Sequence, residues 1–441
     1  MNKNEAELLN LPADPRPDVP DTASDSDRSL AMRDAAIAVP GRVYDIERSL
    51  LRWLLDALGD PAIRFVLWNG EEVYISPGRP VARVHIRDRA ALMKITMNPE
   101  LHFGETYSAG RIEVEGNFVA FLETLYRAMA NARPRGFGQR RLRRARYRAR
   151  ANSLNGSRHN IHHHYDIGND FYRLWLDDQM QYTCAYFPTP DASLEQAQIA
   201  KMDHVCRKLW LKPGDTVVEA GCGWGSLARH MARHYGVTVR AYNISAEQIR
   251  YARERARAEG LDGQVEYVED DYRNIDGRYD AFVSVGMLEH VGTDNYGTLG
   301  EMIHRCLKDH GRGLLHSIGR NKAAPMNAWI EKRIFPGAYP PSLKEMLEVL
   351  EPGGFSALDV ENLRLHYAKT LEHWLWRYEK AADRVRGMFD ESFLRAWRLY
   401  LSGSLAAFTS ADLQLFQLTF ARRHNNAVPW NRAYLYRDGG R

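Results

Sequence analysis

Cysteine is scarce in this chain: four in 441 residues, Cys184, Cys206, Cys222 and Cys306, widely spaced and with no C-x-x-C pair. That pattern argues against a disulfide framework and a cysteine-built zinc site, and for free thiols. Long apolar runs are missing too. No stretch approaches the roughly 20 residues of a membrane span, and the opening MNKNEAELLNLPADPRPDVP carries no apolar signal core, so the expected location is the cytoplasm. Internal repeats are absent. Charge of one sign is not in large excess either: 60 Lys and Arg against 56 Asp and Glu leave a formal +4, and its distribution matters more than its size. What remains is ordinary for a soluble protein, 44% hydrophobic and 26% charged, and long enough for two or three domains around a well-buried core.

The chain divides into blocks. Residues 1–32 mix Pro, Asp, Ser and Ala without periodicity, the composition of a disordered tail. From Tyr44 an apolar stripe at helical spacing begins: Ile46, Leu50, Leu51, Trp53, Leu54, Leu55 and Leu58. Short alternating segments at 65–68 and 82–86 and an apolar helix at 118–129 follow, which makes 33–132 a small α/β domain. An arginine-rich linker, 133–158, comes next. Its first part, RPRGFGQRRLRRARYRAR, holds nine arginines and no acid, and such a block repels itself until it meets anions. The remaining domain, 159–430, alternates strands and helices. One helix is expected to carry Ile199, Met202, Val205, Cys206 and Leu209 on a single face. Strands are expected at 216–220, 237–241, 265–268, 279–285 and 313–318, with helices at 226–234 and 245–258. Repeated βα units imply a mostly parallel sheet with helices on both faces. The last 80 residues read as mostly helical and aromatic-rich.

The most informative stretch is 217–227, VVEAGCGWGSL. Three alternate glycines, Gly221, Gly223 and Gly225, stand directly behind an apolar strand that ends near an acid, Glu219. Residues without a Cβ let the backbone approach a nucleotide-like ligand closely. The spacing differs from the G-x-G-x-x-G of dinucleotide binders, and an acid in the loop suits a positively charged ligand such as S-adenosylmethionine. A plain tight turn is the bland alternative. Ligands of open α/β sheets lie at the carboxyl ends of the strands, so the residues after each strand are candidates. After the second strand, Asn243 and Gln248 could contact a ribose, although Ser245 and Gln248 also match a helix capping box. After the third, Asp270, Asp271 and Tyr272 could serve the adenine, or be solvated turn residues. Glu289 and His290 follow the fourth strand and His316 the fifth, which brings carboxylate and imidazole to one crevice as an acid/base or anion-orienting pair.

Two basic clusters have competing readings. The run RHNIHHH at 158–164 offers imidazoles, but adjacent histidines rarely converge on one ion and no carboxylate or cysteine stands at ligand spacing, so no metal is expected. The arginine block could meet nucleic acid, anionic lipid or only solvent. Few aromatics lie among Arg144, Arg146, Tyr147, Arg148 and Arg150, which favours a phospholipid surface over nucleic acid.

Taken together, HHYDIGNDFYRLWLD (163–177), QYTCAYF (181–187), EAGCGWG (219–225), NISAEQ (243–248), DYR (271–273), SVGMLEHVG (284–292), LLHSIG (314–319) and IFPGAYPPS (334–342) resemble the cyclopropane-fatty-acyl-phospholipid synthases. The resemblance covers about 155–425. Before it, only GETYSAG (104–110) adds to a likeness of position and size with that family's lipid-docking domain. The resemblance implies a Rossmann-like class-I methyltransferase domain and a smaller N-terminal lipid-docking domain. It implies transfer of a methylene group from S-adenosylmethionine to the cis double bond of a phospholipid acyl chain, through a carbocation that loses a proton to bound bicarbonate. Carried over residue by residue, the bicarbonate site falls on Cys184 and Ile318 through their backbones and on Glu289, His316 and Tyr367. Cofactor contacts fall on Tyr182, Thr183, Glu219, Gly221, Gly223, Asn243, Gln248 and Asp271. Aromatic faces to shield the cation are expected from Tyr186, Trp329 and Phe335. A phospholipid bilayer as partner, peripheral attachment at the inner face of the membrane and a homodimer are also implied. Ser404 stands where many relatives carry a cysteine, which argues against an essential thiol there. Competing readings are a methyl- or methylene-branching enzyme, a methyltransferase acting on RNA or a small molecule, and a basic membrane-binding module with a degenerate pocket.

Overall fold

The structure is a computed structural model that describes residues 41–131 and 167–436. The N-terminal tail, the arginine block and the 158–164 histidine cluster lie outside those residues.

The first region is a four-stranded sheet of order β2-β1-β3-β4, with β1 Ile63–Val66, β2 Glu72–Val73, β3 Ala82–Ile86 and β4 Ile112–Gly116. Helix α1 (Asp45–Ala57) packs on it through Leu51, Leu54 and Leu55. Only part of the stripe foreseen there is core. Ile46 and Trp53 sit on the opposite side of the helix and are exposed, because seven apolar positions exceed what one helix face can bury. Two helices that the alternating pattern did not announce, α2 (Arg89–Met97) and α3 (Pro99–Ser108), follow β3. Asn98 separates them: its side chain accepts from the Leu101 N–H, and Pro99 opens α3 where no N–H is needed. Helix α4 (Phe118–Asn131) closes the region.

The second region opens with α5 (Asn169–Tyr172) and α6 (Leu194–Leu209), the latter started by a Ser193–Gln196 capping box. Strand β5 (Thr216–Ala220) leads through the glycine loop into α7 (Ser226–Tyr235), β6 (Thr238–Asn243), α8 (Ala246–Ala258), β7 (Val265–Glu269) and β8 (Tyr279–Val285). Then come α9 (Tyr296–Cys306), β9 (Leu307–Gly319), α10 (Ala328–Arg333) and α11 (Leu343–Glu348). The seven-stranded sheet has the order β10-β11-β9-β8-β5-β6-β7. Its run from β9 to β7 is parallel. Successive residues face opposite ways: Val217 and Val283 pack with α6, α7 and α8, and Val218 and Phe282 with α9 and α11.

Two strands of this region were not foreseen, as β2 and β4 of the first were not. After β10 (Phe355–Asn362) the chain makes α12 (Arg364–Lys380), α13 (Ala382–Met388) and α14 (Glu391–Thr409) and returns as β11 (Gln414–Arg422), antiparallel to both β9 and β10. Eight of the nine residues of β11 are buried, so it shows neither an alternating nor a helical pattern. The aromatic residues of the terminal helices, including Trp374, Trp397 and Phe408, join Leu51, Ile86 and Phe121 of the first region in one core. Ile199, foreseen on the buried face of α6, is 46% exposed. A second, polar face of that helix is buried instead: Gln198, Lys201, His204 and Lys208.

Candidate active site

A cavity opens at the carboxyl ends of β5, β6, β7 and β8. All eight residues foreseen as cofactor contacts line it: Tyr182, Thr183, Glu219, Gly221, Gly223, Asn243, Gln248 and Asp271. The glycine loop shapes it, but not chiefly by offering N–H groups. The Gly221 and Cys222 N–H groups donate to the Tyr242 carbonyl, at 2.9 and 3.0 Å, which ties the loop to β6. Gly225, the N-cap of α7, has φ +78°, and a Cβ there would stand 2.5 Å from the Tyr267 hydroxyl. Gly223 has φ +52° with nothing within 4 Å of where its Cβ would be, so its missing side chain leaves cavity space.

Glu219 ends 2% exposed with Oε2 buried and unpartnered. Burial pushes its carboxyl up to about 7, against the pull of the Lys201 and Arg229 charges. Lys201, which the sequence did not single out, lines the same cavity and donates from Nζ to the Thr183 hydroxyl at 2.9 Å. Burial lowers it to about 8. Among the described residues it has no carboxylate within ion-pair distance. One turn of α6 thus props the 181–183 segment, because Gln198 also donates from Nε2 to the Thr183 carbonyl at 2.9 Å. The spacing of Gln198, Lys201, His204 and Lys208 on one helical face was the available signal, but polar stripes are ordinarily solvated.

Asn243 donates to the Gln248 side-chain oxygen at 2.7 Å. Ser245 accepts from the Gln248 N–H at 3.4 Å and caps α8, while the Gln248 side chain turns to Asn243, so the reciprocal capping box does not form. Asp271 is buried and accepts twice from the Arg273 guanidinium, at 2.7 and 2.9 Å, and once from the Arg273 N–H. Its oxygens are therefore engaged within the chain, which departs from a free acceptor for adenine. Tyr272 lines the cavity beside it.

None of the five residues foreseen for the bicarbonate site lines the cavity. His316 sits within β9 rather than after it, and its carbonyl accepts from the N–H of the cavity residue Gly286 at 2.8 Å. Strand periodicity puts Ile318 on the same face as His316. The Ile318 N–H donates to Glu289 Oε1 at 2.6 Å, so Ile318 reaches the site through that carboxylate rather than through a free amide. Glu289 Oε2 and His316 Nε2 are both buried and unpartnered. Burial pushes Glu289 up to about 7 and, with the nearby cations Lys201, Lys208 and His204, holds His316 well below the usual histidine range. Cys184 is fully buried, and burial raises its thiol far out of the nucleophilic range. Tyr367 packs against Phe408 at 4.6 Å between ring centroids. At the start of α12 the Leu363 carbonyl accepts from the Tyr367 N–H at 3.1 Å and lies 4.0 Å from the Cys184 Sγ, and the Leu363 N–H donates to Leu415, the cross-strand neighbour of Ile318.

The aromatic shield is only partly as foreseen. Tyr186 is stacked between His204 and His366, at 4.2 and 4.8 Å between centroids, so both its faces are taken. Trp329 is pressed against Gly104 of α3, where a Cβ would lie 2.5 Å from its ring. Beside it, Glu105 accepts twice from the Arg333 guanidinium, at 2.8 and 2.6 Å. The GETYSAG segment therefore fastens the first region to α10. Phe335 stands edge-on to the cavity residue His290 at 6.0 Å.

Residues 152–418 match the family model described as mycolic acid cyclopropane synthetase, and 50–133 match one described as a domain of unknown function. The chain is 35% identical to a probable fatty acid methyltransferase of Pseudomonas putida over 390 residues, 85% of this chain and 96% of that one. It is 37% identical to the cyclopropane-fatty-acyl-phospholipid synthase of Escherichia coli K12 over 358 residues, 80% of this chain and 91% of that one. Among solved structures, the mycolic acid cyclopropane synthase CmaA1 complexed with SAH and CTAB aligns with a TM-score of 0.57 at 30% identity, covering 60% of this chain and 97% of that one.

Proposed function

This chain belongs to the mycolic acid cyclopropane synthetase family, and we propose that it transfers a methylene group from S-adenosylmethionine to the cis double bond of phospholipid acyl chains, closing a cyclopropane ring. Its fold is that of the class-I S-adenosylmethionine-dependent methyltransferases, an α/β fold with a mostly parallel sheet. The observation that carries the reading is the pair Glu289 and His316, each buried with one polar atom unmatched and drawn together through Ile318 beside the cavity.

Unmatched buried polar atoms fit the two groups that the reaction requires. The unmatched Glu219 Oε2 suits the cationic end of S-adenosylmethionine, and Lys201, which lines the cavity and donates to the Thr183 hydroxyl, suits a carboxylate. Glu289, His316 and Tyr367, with the Cys184 backbone, would hold bicarbonate. When bound, S-adenosylmethionine supplies the one-carbon group as a sulfonium methyl, and bicarbonate supplies an acceptor for the proton that ring closure releases. Burial keeps Glu289 protonated below about pH 7, so its carboxyl can donate to an anion instead of repelling it. His316 stays neutral and offers one N–H. Both act from a dry setting where fixed dipoles need no rearrangement. Phe335 is the aromatic residue best sited to face a developing cation, near His290.

For the docking partner we propose an anionic phospholipid surface at the inner face of the membrane, met by the arginines of 133–150. Among the described residues no helix is long and apolar enough to cross a membrane. Replacing four arginines in 140–150 should weaken vesicle binding more than turnover on detergent-dispersed lipid. Equal losses would contradict the docking role.

A second reading, branching of the acyl chain, is favoured by similarity to a relative named a fatty acid methyltransferase. One experiment separates the two: mass spectrometry of lipids after incubation with S-adenosylmethionine, bicarbonate and vesicles of a cis-monounsaturated anionic phospholipid. A gain of one CH₂ that withstands mild hydrogenation supports the ring. The same gain with hydrogen uptake supports a methylene branch, and no gain refutes both.

A further inference from the structure

We propose that Gln417 is a positioning residue that holds His316 in a single tautomer, with its proton on Nε2, facing the base site. The proposal starts from the return of β11 along β9. That pairing sets Gln417 directly across from His316. Both side chains are buried, Gln417 completely. The Gln417 amide nitrogen lies 3.0 Å from His316 Nδ1. With the amide set this way its nitrogen donates to Nδ1, and a neutral imidazole then carries its proton on Nε2. Nε2 is the ring atom left buried without a partner within the chain, and the Gln417 amide oxygen is left so as well.

The surroundings keep the ring neutral, which a fixed tautomer requires. From α6, Lys201, His204 and Lys208 act on it as cations, and from the turn after β8 Glu289 approaches through Ile318. On β10, Glu361 stands across from Gln417, lies 2.7 Å from the His204 ring nitrogen and pairs with the Lys208 ammonium at 2.6 Å. His204 and Lys208 hold that carboxylate down at about 2, although burial acts to raise it. The acid of this row is therefore turned to α6, and burial first, then the Lys201 charge, disfavours an imidazolium. In the opposite tautomer His316 would turn a lone pair toward the site and repel an anion.

The role rests on the reading that His316 faces the base ion, so the test reads the ring itself. Nitrogen-15 spectra of histidine-labelled protein, with His316 assigned by its loss in His316→Gln, should show Nε2 protonated and Nδ1 bare from pH 6 to 8. In Gln417→Glu the new carboxylate accepts from Nδ1–H, so the tautomer should reverse, with kcat falling about 10- to 100-fold and the affinity for S-adenosylhomocysteine unchanged. Gln417→Leu should leave a mixture of tautomers, and it replaces the Glu variant if that one does not fold. A wild-type ring protonated on Nδ1, or one that keeps its tautomer in both variants, overturns the proposal. A reversed tautomer with full turnover upholds it and instead removes His316 from the base site.

Discussion

The cavity and the proposed base site share one sheet, but one is built from neighbours in the chain and the other from strangers. Glu219, Gly221 and Gly223 belong to a single strand and turn, and Asn243 and Gln248 to the next strand and the helix after it. The proposed base site instead draws on Cys184, Glu289, His316, Tyr367 and Gln417 from separate segments, and two of the supports around it exist only because β11 comes back antiparallel to β9. In the cavity the backbone does most of the shaping. In the base site, unmatched side-chain atoms do. The difference teaches that the first can be damaged by one added methyl group, and the second by moving one proton.

Substitutions should separate the two. Gly223→Val fills cavity space at a positive φ and should weaken S-adenosylhomocysteine binding by about 100-fold or more, measured by calorimetry; normal binding would show that the ligand lies elsewhere. Glu289→Gln should lower kcat by about 100-fold while cofactor affinity stays within about twofold, and a parallel loss of affinity would erase the distinction between the sites.

A titration sharpens the comparison because each site buries one carboxyl raised to about 7, Glu219 and Glu289. A raised carboxyl stabilises the fold below its unfolded value and loses that contribution as pH rises through the folded value. Glu289→Gln should therefore match the wild type near pH 5 and exceed it by as much as about 3 kcal/mol near pH 8 in urea unfolding. A variant less stable at pH 8 would mean that the carboxylate is paired. Glu361, held near 2, has the opposite sign: its contribution is present above the ordinary glutamate range and is lost as pH falls toward 2. The smallest effect is expected at the junction of the two regions. Glu105→Gln breaks a partly exposed pair with Arg333 and should cost about 0.2–1 kcal/mol, read as a small fall in Tm with cofactor affinity intact.

Much of the parallel sheet was legible in the sequence. The strands at 216–220 and 279–285 have their foreseen limits, and the helix after Ser245 starts where its cap stands. The unforeseen parts share one physical cause, burial on every side. β11 has no polar alternation because both its faces are covered, and the polar face of α6 looks like a solvent face until the 181–183 segment lies over it. Gln198 and Lys201 therefore passed as surface residues. The apolar stripe of α1 erred in the other direction, since among the described residues no second layer covers Ile46 and Trp53.

By itself, the sequence determined the glycine loop, the acid ahead of it and the helix caps, because these depend on backbone conformations set by a few adjacent residues. Only the tertiary structure decided which buried atoms of the candidate site stay unmatched, Glu219 Oε2, Glu289 Oε2, His316 Nε2 and Gln417 Oε1 among them. Whether a polar atom finds a partner depends on strands that meet across the sheet, and the return of Gln417 to His316 spans about a hundred residues of intervening chain.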